Sequence, residues 1–131
     1  MTVLVAYNDS PQGEAALRAG AAEALRRALP LAVFVLTPLE GPPQEDPPLP
    51  PDLAHLLDAL PEGTPVATVT YREARVDPPV AILDEAERLA ASLVVIGSRK
   101  RSPVGKFLLG STTQRVLLDA HAPVLVIKAK H

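Results

Sequence analysis

Two short segments of this chain carry residue types suited to holding an anion. The longer is Gly97-Ser98-Arg99-Lys100-Arg101-Ser102-Pro103-Val104-Gly105-Lys106, with Gly110-Ser111-Thr112 a few residues on. A glycine at a strand end lets a ligand approach the backbone closely. A helix starting near Gly110 would offer free N–H groups and the positive end of its dipole, which suit phosphate. Arg99, Lys100, Arg101 and Lys106 concentrate positive charge in a chain whose net charge is −2. The shorter segment is Asn8-Asp9-Ser10. Residue types alone leave two readings open: an anion site, or a plain turn at Gly97, an ordinary cap at Gly110-Ser111 and a solvated basic face.

Both segments follow apolar runs that read as buried strands. Val3 to Tyr7, Leu31 to Leu36, Leu93 to Ile96 and Val124 to Ile127 are nearly continuous in apolar residues, as in a parallel sheet covered on both faces, and Val66 to Arg72 supplies the remaining strand. Ser10 followed by Pro11 predicts a helix to about Leu29, closed by Pro30. Asp52 is placed to cap a short helix over 53–60, and Asp77-Pro78 opens another from Pro79 to Ala91. Gly97 to Gly110 reads as a loop, and Ser111 as the cap of a last helix to about Ala120. The stretch from Pro38 to Pro51 holds seven of the fifteen prolines and reads as a stiff, extended surface loop. Alternating strands and helices predict an α/β fold: an open five-stranded parallel sheet with helices on both faces. In such sheets ligands bind beyond the carboxyl ends of the strands, where the strand order reverses, which is where both polar segments fall.

Composition narrows the function classes. At 131 residues the chain has the length of one domain, 47% hydrophobic, with no cysteine and therefore no disulfide, thiolate metal site or cysteine nucleophile. Aromatic residues make up 3%, namely Tyr7, Phe34, Tyr71 and Phe107, which disfavours a base-stacking nucleic-acid platform, as does the slight net negative charge. The amino terminus has no basic stretch before its apolar run and reads as a strand, not a signal peptide; no apolar run is long enough to cross a bilayer. A cytoplasmic location is the expectation. His55, His121 and His131 fall on separate segments without metal-ligand spacing, no nucleophile-elbow motif is present, and Asp84, Glu85 and Glu87 beside Arg88 read as a charged helix face. No catalytic set and no metal site emerges.

The run Leu93-Val94-Val95-Ile96-Gly97-Ser98, then Phe107-Leu108-Leu109-Gly110-Ser111, then Arg115-Val116-Leu117, then Ala122-Pro123-Val124-Leu125-Val126-Ile127 resembles the C-terminal half of a universal stress protein domain. Val3-Leu4-Val5-Ala6 with Ser10, and Asp77-Pro78 leading into Ala81-Ile82-Leu83, extend the resemblance across the chain, as one domain over 1–131. The resemblance implies strand order 3-2-1-4-5 and a stress-response or regulatory protein that binds an adenine nucleotide, ATP, at the reversal point. Nucleotide-binding members resemble G-x-x-G, nine residues, then G-S/T, with an Asp after the first strand that contacts the ribose. Gly97, Gly110 and Ser111 match; Lys100 stands at the second glycine, Asn8 at the acid, Asp9 and Pro103 at two further frequent glycines, and Val76 at a third.

On this reading Gly97, Ser98, Gly110, Ser111 and Thr112 surround the phosphates beside Arg99, and Lys100 assists as a point charge. Asn8 meets the ribose through its amide oxygen, next to Ser10. Backbone near Thr37 faces the base, and Asp9 either repels phosphate or helps hold Mg²⁺. Family members commonly dimerise through the fifth strand, and Val124 to Ile127 is apolar enough for a homodimer edge. The competing reading is a universal-stress-type homodimer that binds no ATP and acts as an interaction module. An ATP hydrolase would need a water-positioning base, and the sequence supplies no candidate.

Overall fold

The computed structural model describes all residues except 43, 44, 46, 99, 102–106 and 129–131. Eleven elements occur among the described residues: β1 (Thr2–Tyr7), α1 (Pro11–Arg27), β2 (Leu31–Val35), α2 (Pro51–Asp58), β3 (Val66–Tyr71), α3 (Pro78–Arg88), β4 (Ala91–Ser98), β5 (Lys100–Arg101), β6 (Phe107–Leu108), α4 (Ser111–Asp119) and β7 (Val124–Lys128). The main sheet has the order β3-β2-β1-β4-β7 and is parallel throughout. This is the expected 3-2-1-4-5 arrangement. No helix among the described residues is long and apolar enough to cross a membrane.

Successive side chains of a strand point to opposite faces of the sheet, so the apolar runs supply two cores. Val3, Val5 and Tyr7 of β1, with Val33 of β2 and Val95 of β4, pack beneath Leu17 and Ala21 of α1 and Leu53 of α2. Leu4 and Ala6, with Phe34, Val94 and Ile96, pack against Ile82 of α3 and Val116 of α4. Strands β1 and β2 are buried over almost their whole length. That explains why their sequences show no polar alternation.

Several boundaries differ from the sequence reading. Helix α1 ends at Arg27, ahead of Leu29. Ala28 takes the left-handed conformation (φ 56°) and its N–H bonds Ala24 O and Leu25 O, so this turn, not Pro30, closes the helix. Asp52 does not cap α2: the helix starts at Pro51, and the Asp52 carboxylate instead accepts the Tyr7 hydroxyl at 2.5 Å. Asp77 stands at the N-cap of α3 without a capping side-chain bond, and Gly110, not Ser111, is the N-cap of α4. Strand β4 runs on through Gly97 and Ser98. The segment read as one loop contains an antiparallel pair in which Lys100 faces Leu108 and Arg101 faces Phe107. Short-range propensity does not foresee that pairing, because its two partners are bound across a chain reversal.

Candidate functional site

The reversal of strand order lies between β1 and β4. From β1 the chain passes through α1 to β2 on one side, and from β3 through α3 to β4 on the other. A crevice of about 500 Å³ opens beyond the carboxyl ends of these strands. Its floor is Ala6 and Asn8 from β1 and its end, with Ile96, Gly97 and Ser98 of β4. One wall is the first turn of α1, through Gln12 and Gly13. The opposite side carries Pro78 of α3 with Gly110, Thr112 and Thr113 of the α4 start, and the far end carries Leu36, Thr37, Pro38 and Arg72.

Local sequence explains the shape. Ser10 caps α1, its Oγ accepting the Gly13 N–H at 3.1 Å, and its own hydroxyl donates to Asn8 Oδ1. Gly13 has no side chain because Asn8 fills the space: a Cβ there would lie 2.0 Å from the Asn8 carbonyl oxygen. Gly97 is glycine for a related reason. A Cβ would lie 2.2 Å from the Gln12 carbonyl oxygen, so its absence lets β4 run tightly beneath α1. The expectation that Gly97 is there for close ligand approach therefore has a packing cause beside it.

At the α4 start, the buried Ser98 hydroxyl accepts the Gly110 N–H at 3.2 Å, and the buried Thr113 hydroxyl donates to Gly97 O at 3.5 Å. These two bonds fix the helix start to the end of β4. With glycine at the N-cap, no side chain among the described residues bonds the first turn as a cap, and the space where a Gly110 Cβ would sit is open. At the other end Arg72 bonds Leu36 O through Nε (2.7 Å) and Val76 O through Nη1 (2.7 Å), tying the ends of β2 and β3 to the turn before α3.

Of the residues singled out from sequence, Asn8, Thr37, Gly97, Ser98, Gly110 and Thr112 come together around this crevice. Asp9 and Ser10 line a separate hollow with Tyr7, Glu14, Asp52 and His55, and Ser111 faces outward with Asp77, Pro79 and Arg115. Lys100 lies on β5 with its backbone paired to Leu108, and Arg99, Pro103 and Lys106 lie outside the described residues. Sequence reasoning missed Gln12, Gly13, Arg72 and Thr113. Gly13, three residues after a capping serine, and Arg72, a charge ending an apolar strand, were the available signals. Gln12 carries a buried side-chain Oε1 with no hydrogen-bond partner among the described residues. No group of three or more His, Asp or Glu residues able to hold a metal occurs among them either.

Residues 1–128 match the profile of the universal stress protein family. A universal stress protein of Mycolicibacterium smegmatis is 35% identical over 127 residues, covering 96% of each chain. The chain belongs to the universal stress protein family. Its fold agrees with solved members: a universal stress protein from Archaeoglobus fulgidus superposes with a TM-score of 0.70 at 33% identity over 98% of both chains. A second from the same organism, solved in complex with dAMP, superposes at 0.65 with 26% identity over 98% of both chains.

Proposed function

We propose that this universal stress protein binds an adenine nucleotide, ATP in particular, in the crevice at the reversal point, and acts as a regulatory binding protein whose occupancy is its signal. The observation that carries the reading is the convergence on one crevice of Asn8, the Gly97–Ser98 strand end and the glycine-capped start of α4. The start of the nine-residue helix α4, with no capping side-chain bond among the described residues, suits phosphate. A volume of about 500 Å³ lies within the range of small-ligand sites. The Archaeoglobus fulgidus relative in complex with dAMP supports an adenine base.

The residues present fit such a group with one adjustment. Gln12 Oε1 is a buried acceptor with no donor among the described residues, the kind of atom a bound hydroxyl or amine satisfies. Asn8 Oδ1 already accepts from Ser10, so Asn8 meets the ribose through its remaining lone pair or its amide N–H₂. Ser98 Oγ accepts from Gly110, so its O–H is free to donate, and it joins the backbone N–H groups of Ser111 and Thr112 and the Thr112 hydroxyl as phosphate partners. In the sequence the cationic Arg99 and Lys100 directly follow β4, which suits a nearby phosphate, and Mg²⁺ accompanies the nucleotide's own oxygens. Among the described residues lining the crevice there is no carboxylate or imidazole to act as a base, which favours binding over turnover.

Analysis of small molecules released on denaturing fresh protein, followed by ATP titration with and without Mg²⁺, tests the reading. Adenine nucleotide in the first step or saturable binding in the second is expected; neither would leave the interaction-module reading. We further propose a homodimer through Val124–Ile127, supported by the place of β7 at the sheet edge with β4 as its neighbour.

A further inference from the structure

We propose that Arg72 selects and positions the base half of the nucleotide, donating a hydrogen bond from guanidinium Nη2 to a ring nitrogen of the purine. The inference rests on the reading of the crevice as a nucleotide site and names the residue that reads the base. Arg72 is partly buried and is the one charged residue among the described residues lining the crevice. No carboxylate among them neutralises it: Glu73, its neighbour in the chain, pairs with Arg75 at 3.0 Å. Its bonds go to main-chain carbonyls, Nε to Leu36 O and Nη1 to Val76 O at 2.7 Å each, with a longer 3.4 Å contact from Nη1 to Glu73 O. The two short bonds come from different segments, so they fix the plane of the guanidinium from two sides. Nη2 is left with no partner among the described residues.

The position of Arg72 in the sheet gives that nitrogen its task. Strands β3, β2, β1 and β4 are successive neighbours, so the end of β3 stands about 14 Å from the end of β4 at ordinary strand spacing. Phosphate is best held at the β4 and α4 end, which directs the other half of a nucleotide toward Leu36, Thr37 and Arg72. A guanidinium is always charged and only donates. It therefore favours the acceptor nitrogens N1, N3 and N7 of adenine and disfavours the donor N6 amine. Because two carbonyls already hold it, little side-chain freedom is lost when it engages a base.

Isothermal titration of the full chain with ATP, its 1-deaza, 3-deaza and 7-deaza analogues, and inorganic tripolyphosphate tests this. One analogue is expected to bind wild-type protein roughly tenfold more weakly than ATP, the loss of a single good hydrogen bond. In Arg72→Met that analogue and ATP are expected to bind equally, while tripolyphosphate binds both proteins alike. Equal binding of ATP and all three analogues to wild-type protein overturns the proposal and leaves the nucleotide site standing. So does an Arg72→Met variant that weakens ATP, its analogues and tripolyphosphate by one common factor, the signature of a brace alone. Absence of ATP binding to wild-type protein removes the underlying reading and this inference with it. Where Arg72→Met does not fold, Arg72→Lys, which keeps the charge and removes Nη2, takes its place: that analogue and ATP are expected to bind it equally, and an undiminished preference for ATP overturns the proposal.

Discussion

At Gly97 a single methyl group would meet the Gln12 carbonyl oxygen at 2.2 Å, closer than any real contact. Gly97→Ala must therefore push the first turn of α1 away from β4, and overpacking of this kind costs about 1–3 kcal/mol. Urea unfolding is expected to show that loss, and an unchanged midpoint would mean that α1 shifts freely. Sequence reading found Gly97 but could not see its neighbour, because Gln12 lies far away in the chain. Tyr7 and Asp52 make the same point. Periodicity assigned Tyr7 to the core and Asp52 to a helix cap, yet the two are joined by a 2.5 Å bond. Burial first, then the Asp52 hydrogen bond and charge, push the Tyr7 hydroxyl well above its ordinary pKa; burial also raises that of Tyr71. A raised folded-state pKa means the unfolded chain loses these protons first, so this contribution to stability is full below about pH 10 and is lost as pH rises beyond it. Chemical unfolding across pH 8 to 11.5 is expected to show the decline, and Tyr7→Phe to flatten it. The Tyr71 hydroxyl is buried with no partner among the described residues. Tyr71→Phe is accordingly expected to leave stability unchanged or raise it by up to about 1 kcal/mol at pH 7.

Among the elements, strands and helices were legible because each is long enough to show its apolar pattern, while their ends were set by local conformation. Pro30 looked like the stop of α1, but Ala28 turns the chain at φ 56°, a conformation a side chain resists. Ala28→Gly should stabilise the protein by about 1 kcal/mol, measured as a rise in thermal midpoint; a fall would show that the turn is held by something other than its φ. The segment after β4 was the least legible. Its glycines and basic residues suggested an open loop, whereas β5 and β6 pair across it with two residues each. Two-residue strands carry no periodic signal. Glu85 illustrates how elements are joined beyond the apolar core. It accepts from Arg88 on its own helix and from Thr70 on β3 at 2.8 Å. The Arg88 bond, with help from Thr70 and against the effect of burial, holds its carboxyl below the usual range.

For the whole molecule, strand order follows from family resemblance and not from periodicity, since any order of five apolar strands shows the same pattern. The order matters because it puts β1 and β4 side by side and opens the crevice between their ends. It also leaves β7 at the edge, and light scattering is expected to report twice the mass of one chain; a monomer at micromolar concentration would remove the proposed dimer. Six of the fifteen residues lining the crevice were singled out in the sequence, namely Asn8, Thr37, Gly97, Ser98, Gly110 and Thr112. The rest came from side chains whose role depends on the fold, above all Gln12 and Arg72. The central claim is that an adenine nucleotide occupies this crevice, and amide chemical-shift mapping of the full chain during ATP titration tests it most directly. The account predicts saturable shifts concentrated at Asn8, Gln12, Thr37, Arg72, Gly97, Ser98 and Gly110 to Thr113. An unchanged spectrum at millimolar ATP, or shifts confined to the Tyr7–Asp52–His55 hollow, would contradict it.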